Sequence, residues 1–281
     1  MNILICGGGI AGLTLAWWLS RDGHHVVVAE KGKRVRGEGY MIDFFGSGWD
    51  VARRMGLIEK LGEIHYPVAR LDFVREDGRT TTSLSYPDMR RRLFKGRHFN
   101  FMRGDLERVL FEAVGDTVDV RFGTSVASFE EGATSIRVKL TDGTRGSYDL
   151  VVGADGVHSS IRELALGEGE EAERFLGFYT AAFVIDDQGL SEEHAGAFRT
   201  FTVPGRQVAI YPIRGGKLAT FFVHDAKLQP EGLASPAEIL RAVYGGLPWV
   251  VPKLLARIPA PVESTSIGCP RSCSGTGVVG E

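Results

Sequence analysis

Short apolar runs alternate with glycine-rich breaks at the start of the chain. Residues 2–6 are apolar and long enough for one buried parallel strand. Residues 13–21 carry apolar side chains at helical spacing, and Gly23 ends the predicted helix. Residues 25–29 form a second apolar run, with Glu30 at its carboxyl end. This order predicts a strand–helix–strand unit.

Three glycines at fixed spacing join the first predicted strand to the helix. Gly7, Gly9 and Gly12 match the pattern G-x-G-x-x-G. The first glycine permits a tight turn, the second lets the backbone approach a pyrophosphate, and the third lets the helix pack closely on the strand. The N-terminus of the predicted helix offers N–H groups and a partial positive charge to phosphates, and Ile10 and Ala11 of the motif are also predicted to bind the cofactor.

An acidic residue follows at the distance that a dinucleotide site requires. Glu30 lies where a carboxylate can accept hydrogen bonds from a ribose diol, and Lys31 follows it in the same predicted site. A carboxylate here favours an unphosphorylated ribose, as in FAD or NAD, over NADP. The sequence therefore predicts a dinucleotide-binding unit.

Further along, the pattern changes to successive strands. Residues 71–76 and 79–84 flank an Asp-Gly turn and predict a hairpin. Two closing helices are predicted at 237–244 and 249–257, with prolines marking their starts. The remaining predicted strands are 135–140, 147–153, 178–185, 198–203, 207–213 and 218–224. The turns between the last four indicate antiparallel strands rather than strand–helix–strand units.

The strand predicted at 147–153 runs into a second motif. Asp155, Gly156, Ser159 and Arg162 fill the fixed positions of D-G-x-x-S-x-x-R. This motif resembles that of the group A, para-hydroxybenzoate hydroxylase-like FAD-dependent aromatic monooxygenases. The resemblance implies that the segment helps to hold FAD and to handle the pyridine nucleotide. The alternative is a turn at Asp155-Gly156 followed by a helix capped by Ser159.

Two further segments resemble the same family. Arg103 begins a segment similar to its R-x-x-L-x-x-x-L helix, whose arginine contacts FAD; a plain amphipathic helix start is the alternative. Residues 37–49 resemble a loop in the subgroup that includes the tetracycline-inactivating monooxygenases, in which an aspartate touches the flavin. Asp43 is the matching residue, and a solvated loop carboxylate is the alternative.

The resemblance implies an α/β fold with a Rossmann-type FAD-binding lobe and a mostly antiparallel β-sheet substrate lobe. We expect the FAD-binding lobe at 1–66 and 98–172, and the substrate lobe at 67–97 and 173–262, followed by an atypical tail at 263–281. In that family such a sheet covers the substrate over the flavin.

Aromatic side chains of the predicted sheet are candidates for the substrate pocket, although ordinary core packing also explains them. Those expected to supply an apolar wall are Phe178, Tyr179, Phe183, Phe201, Tyr211, Phe221 and Phe222. The pocket candidates chosen among them are Phe183, Phe201, Tyr211 and Phe222. His98 and His224 could transfer protons, but single histidines are usually structural or exposed. No acid, base or nucleophile stands out as catalytic.

The tail departs from the family pattern. The family next has a strand and a Gly-Asp motif whose aspartate binds the FAD ribityl chain. Residues 269–277 are small, polar and unpatterned instead, and residues 278–281 only faintly echo a strand entering Gly-Asp, with Glu281 where the aspartate is expected. We expect a truncated or frame-shifted C-terminus that leaves the FAD-binding lobe incomplete.

Charge and cysteine content limit the classes of partner and the cellular compartment that we expect. With 33 basic and 35 acidic side chains, the net charge of −2 gives no reason to expect nucleic acid or a membrane surface as partner. Three cysteines do not make a disulfide framework, so we expect a cytoplasmic protein. Cys269 and Cys273 lack a second ligand pair, so no metal site is expected.

The resemblance implies an enzyme of secondary metabolism. NAD(P)H would reduce FAD, O2 would form a flavin hydroperoxide, and an aromatic or polyketide-like small molecule would be hydroxylated by a monomer or homodimer. The alternative is a truncated, non-catalytic FAD- or nucleotide-binding remnant of such an enzyme. A plain NAD-dependent dehydrogenase is a weaker option, because the Asp155-Gly156 motif and the antiparallel lobe argue against it.

Overall fold

A computed structural model describes residues 1–35, 37, 39–167, 174–233, 235–259 and 270–271. The tail cysteines Cys269 and Cys273 and the rest of the predicted atypical tail therefore lie outside the described residues, apart from 270–271. The chain divides into two compact units, each described by itself below.

Helices and strands follow one another along the chain as in a mixed α/β protein. The strands are β1 (Asn2–Cys6), β2 (His25–Glu30), β3 (Met41–Phe45), β4 (Arg70–Val74), β5 (Thr80–Ser85), β6 (His98–Met102), β7 (Asp119–Phe122), β8 (Val126–Glu131), β9 (Ile136–Leu140), β10 (Arg145–Tyr148), β11 (Leu150–Gly153), β12 (Arg174–Phe175), β13 (Phe178–Asp186), β14 (Ala197–Val203), β15 (Arg206–Ile213), β16 (Lys217–Asp225) and β17 (Pro270–Arg271). The helices are α1 (Ile10–Arg21), α2 (Ser47–Arg54), α3 (Ile58–Glu63), α4 (Tyr86–Phe94), α5 (Arg103–Val114), α6 (Ser160–Leu166), α7 (Gln188–Glu193), α8 (Pro236–Tyr244) and α9 (Val251–Leu255).

The first unit comprises residues 1–37, 104–174 and 271–281 and is centred on a parallel sheet. Its four strands lie in the order β11-β1-β2-β7, and every neighbouring pair is parallel. A separate antiparallel sheet, β10-β9-β8, packs on one face. Between the two sheets lies an apolar layer formed by Leu4, Cys6, Val27, Ala29, Val126, Val138, Leu140 and Tyr148. The strand–helix–strand unit is thus present with β1, α1 and β2.

The predicted strand at 147–153 is two strands that belong to different sheets. β10 pairs with β9 in the antiparallel sheet, whereas β11 pairs with β1 in the parallel sheet. Asp149 stands between them and exchanges hydrogen bonds with Asn2: its N–H donates to the Asn2 carbonyl at 2.9 Å, and its carboxylate accepts from the Asn2 N–H at 2.7 Å. The apolar pattern alone did not reveal this change of sheet.

The second unit comprises residues 38–103 and 175–270 and is built on a six-stranded sheet. The strand order is β13-β16-β15-β14-β4-β5. Every neighbouring pair is antiparallel except β14 and β4, which are parallel. The predicted antiparallel character therefore holds for the sheet except at that one pair.

The second unit includes residues 39–66 and 98–103, which we expected in the FAD-binding lobe; the division into FAD-binding and substrate lobes stays a prediction. A strand pair that the sequence pattern did not indicate joins these two segments. β3 pairs with β6 in an antiparallel ribbon. The segment 37–49, expected to be a loop, thus contains β3 and the start of α2. The second closing helix, predicted at 249–257, is shorter and begins at Val251.

One face of the six-stranded sheet carries the main core of the second unit. Alternate side chains of β13–β16 pack there against α7, α8 and α9, with Val208, Ile210, Phe222, Tyr244 and Leu254 fully buried. The ring of Phe222 stacks on that of Phe183, with a centroid separation of 5.5 Å, and meets Tyr244 edge-on at 5.0 Å. Burial of these rings dominates the stability of this layer.

No described helix has both the length and the apolar character that a bilayer crossing requires.

Truncation of Phe222 should destabilise the protein strongly. Phe222→Ala removes a fully buried ring and leaves a cavity in the aromatic cluster, so we expect a loss of about 3–5 kcal/mol in the free energy of unfolding. Urea denaturation followed by circular dichroism measures this loss. The matched control is Phe178→Ala, on the same sheet but 48% exposed, which should change stability by less than about 0.5 kcal/mol. Equal losses in the two variants would contradict the assigned core.

Candidate functional site

The glycine-rich turn after β1 leaves no room for side chains at two of its positions. A Cβ on Gly12 would overlap the carbonyl oxygen of Gly7 and would approach the Ile5 side chain. Gly7 has a φ of 109°, and a Cβ there would overlap the carbonyl oxygen of Ala154. Gly7 therefore makes the turn, and Gly12 lets α1 pack closely on the sheet.

The N-terminus of α1 presents backbone N–H groups at this turn. Gly9 is the N-cap, in an extended conformation, and α1 runs for 12 residues from Ile10. Within the described residues, no side chain caps the helix, so the N–H groups of Ile10, Ala11 and Gly12 remain available to an anion. These N–H groups lie at the positive end of the helix dipole, which favours the binding of a diphosphate.

Glu30 is held at the carboxyl end of β2 by two backbone amides. The Gly8 N–H donates to Oε2 at 2.6 Å, and the Gly32 N–H donates to Oε1 at 2.6 Å. These bonds fix the carboxylate beside the glycine turn. Each oxygen keeps a lone pair that can accept a hydrogen bond from a ribose hydroxyl. Lys31, the next predicted site residue, is exposed at the surface.

The D-G-x-x-S-x-x-R segment folds around its own aspartate. The Asp155 carboxylate accepts hydrogen bonds from Ser159 Oγ, at 2.5 Å, and from the Ile161 N–H, at 3.2 Å. Ser159 Oγ caps α6 by accepting from the Arg162 N–H at 3.0 Å. Gly156 has a φ of 88°, which makes the turn. The turn-and-cap alternative is thus present, and it is compatible with a ligand-binding role.

The structure brings one group of predicted residues together in the first unit. Gly7 to Gly12 and Glu30 form a single turn region, and Asp155 follows β11 next to Gly7. The other two predicted cofactor residues, Asp43 and Arg103, lie in the second unit. Asp43 is on β3, and Arg103 is half-buried at the start of α5.

The second unit contains a cavity of about 320 Å³ on the sheet face opposite the main core. Alternate residues of β4, β14 and β15 supply its wall, and β3, β16 and α4 complete it. The lining residues are Tyr40, Met41, Asp43, Leu71, Phe73, Tyr86, Phe198, Thr200, Gln207, Ala209, Tyr211 and Phe221. Rings predominate, and the Phe198 and Tyr211 rings stack with a centroid separation of 5.1 Å.

The period of a strand decides which predicted aromatics reach this cavity. Of the four pocket candidates, Tyr211 lines it, as does Phe221 from the expected apolar wall. The other three candidates, Phe183, Phe201 and Phe222, lie in the main core on the opposite face. Their placement follows from the alternation of side chains between the two faces along β13, β14 and β16. The same alternation would have selected Phe198 and Thr200, Gln207 and Ala209, and Leu71 and Phe73.

Tyr211 joins the ribbon to the sheet. Its hydroxyl accepts a hydrogen bond of 2.6 Å from the Met41 N–H. Burial raises the pKa of Tyr211 far above its usual value. Burial likewise raises the pKa of Tyr86 to about 12, with a smaller contribution from the charge of Asp43. Both phenols are therefore protonated at neutral pH and can act as hydrogen-bond donors at the cavity, but not as bases.

Asp43 is tied to side chains that sequence reasoning did not assign to the site. His98 Nε2 lies 2.9 Å from Asp43 Oδ1, and Asn100 Nδ2 donates to the same oxygen at 2.5 Å. His98 and Asn100 are buried on β6, opposite β3. Asp43 is therefore not an isolated loop carboxylate. Only the pairing of the two strands could have revealed these partners. Within the described residues, no cluster of His, Cys, Asp and Glu forms a candidate metal site.

A known protein family matches most of this chain. Residues 1–238 match the family model described as an FAD binding domain. The chain belongs to this FAD-binding family. The match covers β1, α1, β2 and the Asp155 segment as well as the six-stranded sheet. FAD is thus the cofactor, in preference to the NAD alternative.

Curated relatives are similar to this chain at moderate identity. An FAD-dependent urate hydroxylase of Klebsiella oxytoca is 31% identical over 266 residues, which cover 92% of this chain and 67% of that protein. The FAD-dependent monooxygenase asL4 of Sarocladium schorii is 38% identical over 189 residues, or 66% of this chain and 44% of that protein. The flavin-dependent monooxygenase eupH of Phoma sp is 34% identical over 196 residues, which cover 67% of this chain and 46% of that protein. The chain spans less than half the length of these last two relatives.

Solved structures confirm the predicted fold class. Klebsiella pneumoniae HpxO, solved with FAD and uric acid, is 26% identical with a TM-score of 0.74; the match covers 96% of this chain and 68% of that one. The tetracycline destructase Tet(55), at 23% identity and a TM-score of 0.79, shows the fold alone; the match covers 93% of this chain and 67% of that one.

The residues of the first unit fit the adenosine diphosphate half of FAD. Gly12 makes a close helix–strand approach that a side chain would block, and the α1 N-terminus supplies uncapped amides. Glu30 holds an oriented carboxylate to which a ribose diol could donate. Together these groups could hold a diphosphate and a diol, which are the two parts that FAD presents to such a turn.

Replacement of Glu30 should weaken FAD binding. In Glu30→Gln an NH2 group replaces one oxygen, so it faces either the Gly8 or the Gly32 N–H, and one donor loses its acceptor. We expect the FAD dissociation constant to rise about 10- to 100-fold, from the loss of a charge-assisted hydrogen bond. Quenching of flavin fluorescence on titration measures it. Glu130→Gln, with a side chain 73% exposed in the same unit, is the control and should leave the constant unchanged. Unaltered affinity in Glu30→Gln would contradict the assigned ribose contact.

Proposed function

We propose that the protein is an FAD-dependent, NAD(P)H-using monooxygenase that hydroxylates an aromatic or polyketide-like small molecule. The observation that carries the proposal is the pairing, in one chain of an FAD-binding family, of a nucleotide-binding turn with a separate aromatic-walled cavity of about 320 Å³. The relatives support it, because they are named as flavin-dependent monooxygenases and an FAD-dependent urate hydroxylase.

The first unit would serve to bind the cofactor. The α1 N-terminus and the glycine turn would hold the diphosphate, and Glu30 would accept from the ribose hydroxyls. FAD, when bound, supplies the acceptance of a hydride from NAD(P)H and the activation of O2. The residues of this chain therefore have to bind, orient and shield, and need not supply a nucleophile.

The cavity of the second unit suits a planar ligand. Its rings include the stacked pair Phe198 and Tyr211, and also Tyr40 and Phe221, whose centroids are 5.7 Å apart. Flat aromatic walls favour a flat ligand and exclude water from it. The size of the cavity lies at the lower end of the range for small-molecule sites. A single-ring or fused-ring substrate matches it better than a large flexible one.

Polar groups at the cavity can fix the orientation of such a ligand. Gln207 and Thr200 face it from neighbouring strands and are joined by a 2.9 Å hydrogen bond from Gln207 Nε2. Tyr86 and Tyr211 add protonated phenols. Asp43 is the charged member of the described lining, which contains no lysine or arginine. This composition favours neutral ligands that carry hydrogen-bond donors over carboxylate-bearing ones.

The experiment that tests the proposal uses the purified chain. We expect a yellow protein after incubation with FAD, and oxidation of NADH or NADPH that a planar phenol or purine accelerates with formation of a hydroxylated product. Mass spectrometry of the product and oxygen consumption measure the reaction. Flavin retention without substrate-dependent product, across a panel of phenols, purines and polyketides, would favour the non-catalytic FAD-binding alternative.

Filling the cavity should separate cofactor binding from turnover. Ala209 is 2% exposed at the cavity wall, so Ala209→Leu places an isobutyl group where the ligand would lie. We expect at least about a tenfold fall in kcat/KM with an unchanged FAD dissociation constant. The control is Ala195→Leu, at an exposed alanine of the same unit, which should leave both quantities unchanged. Full activity in Ala209→Leu would show that this cavity is not the substrate site.

A further inference from the structure

A buried polar cluster stands behind the cavity wall, formed by Arg90, His98 and Asn100, with Asp43 at its cavity end. Arg90 lies on α4, His98 and Asn100 lie on β6, and Asp43 lies on β3. His98 is 3% exposed and Asn100 is 1% exposed, whereas the Asp43 side chain is 51% exposed and lines the cavity. The cluster therefore connects the interior of the second unit to its ligand cavity.

The hydrogen-bond donors of this cluster fix the tautomer of His98. Arg90 Nε lies 3.2 Å from His98 Nδ1. A guanidinium has N–H groups and no acceptor, so Arg90 must donate and His98 Nδ1 must accept. The ring proton of the neutral imidazole therefore sits on Nε2, 2.9 Å from Asp43 Oδ1, and donates to that carboxylate. An imidazolium would place an Nδ1–H against the Arg90 N–H and break this chain of bonds.

Asn100 is oriented in the same way. Arg90 Nη2 donates to Asn100 Oδ1 at 2.8 Å, so the amide oxygen faces Arg90 and the amide NH2 faces Asp43. Asn100 Nδ2 then donates to Asp43 Oδ1. Arg90 also donates to the carbonyl of Val68 at 3.3 Å, and its guanidinium lies over the Tyr86 ring at 5.5 Å. One cation thus sets the direction of two donors, and both donors converge on one carboxylate oxygen.

We propose that Arg90, acting through His98 and Asn100, locks the Asp43 carboxylate as an oriented hydrogen-bond acceptor for an N–H or O–H group of the planar ring that occupies the cavity. His98 and Asn100 are positioning residues in this arrangement. Both of their bonds go to Oδ1, so Oδ2 of this half-exposed side chain keeps its lone pairs for a hydrogen bond from the ligand. The ligand step rests on the proposed function, whereas the tautomer of His98 and the orientation of Asn100 do not.

The ring that Asp43 meets is that of the proposed substrate, because the described lining of the cavity belongs entirely to the second unit. Phenolic and purine substrates carry O–H or N–H groups that a fixed carboxylate would orient, because an ionised acceptor makes shorter and stronger hydrogen bonds than a neutral one. The affinities for substrate and for FAD are measured independently, so that a general loss of structure is distinguished from the loss of this one contact.

The first experiment determines the tautomer of His98 directly. Long-range proton–nitrogen NMR of protein labelled with ¹⁵N-histidine distinguishes Nδ1–H, Nε2–H and imidazolium forms. His98→Gln assigns the His98 signal; if that variant does not fold, replacing the other histidines one at a time assigns it. We expect the neutral Nε2–H form at pH 7. An Nδ1–H tautomer or an imidazolium would overturn the proposal, and this result does not depend on any enzymatic activity.

The second experiment tests positioning by loss and conservative rescue. His98→Leu removes the donor to Asp43, and His98→Gln retains an N–H donor. We expect His98→Leu to raise the substrate KM about tenfold with an unchanged FAD dissociation constant, and His98→Gln to keep KM within about twofold of the original. An equal loss of FAD affinity and of substrate affinity in His98→Leu would contradict a specific positioning role. The control is His224→Leu, a residue 5% exposed and bonded to Tyr244 and Gln229.

His224 interacts with the main-core residue Tyr244, so its replacement can lower stability without touching Asp43. We expect wild-type FAD affinity and KM in the folded His224→Leu protein. If His98→Leu binds FAD and substrate like the wild type, or if His98→Gln loses as much as His98→Leu, the positioning role is overturned. If the protein shows the expected tautomer of His98 but does not bind FAD, the proposed function is wrong. The orientation of the Asp43 carboxylate by His98 and Asn100 would still be supported.

Discussion

The close approach of α1 to the parallel sheet is the constraint on which the first unit depends. The helix can begin directly after β1 only because Gly12 has no side chain against the Gly7 carbonyl. That approach places the uncapped end of the helix beside the carboxyl ends of β1 and β2. Glu30, at the end of β2, is then within hydrogen-bond distance of the Gly8 amide. A steric requirement of one residue thereby assembles a site from three separate elements.

In the second unit, a single sheet separates two different environments. Val208 and Ile210 on β15 and Phe222 on β16 face helices and form a core, while Gln207, Ala209 and Tyr211 on β15 face the cavity. A sheet with an apolar core on one side is rigid enough to hold ring walls on the other. The cavity side tolerates polar groups because it is open to a ligand, whereas the core side requires tight apolar packing. Binding and stability are therefore assigned to opposite faces of the same strands.

The sequence pattern predicted those parts of the fold that depend on local periodicity. β1, α1, β2 and the strands of the large sheet follow from apolar spacing and glycine turns, and the glycine motif predicted the steric role of Gly7 and Gly12. Long-range pairing was beyond that reasoning. The ribbon of β3 and β6 joins residues more than fifty positions apart, and it alone brings His98 and Asn100 to Asp43. Phe183 and Phe222 were predicted to line the pocket because they are aromatic, but they lie in the main core. The face of the strand on which a ring lies decides what that ring contacts.

The passage of the chain through Asp149 also bears on how the protein is made. β1 is flanked by β2, which follows it closely, and by β11, whose first residue pairs with Ile3 across slightly more than half of the sequence. During synthesis, therefore, the buried side chains of β1 are covered on one edge early and on the other only after residue 153 has been added. Contacts of such long sequence separation slow folding, because a large loop must close before they form. β1, which is synthesised before its neighbours in the parallel sheet, is thus among the last strands of that sheet to be fully enclosed, because β11 has still to be translated when β1 and β2 pair.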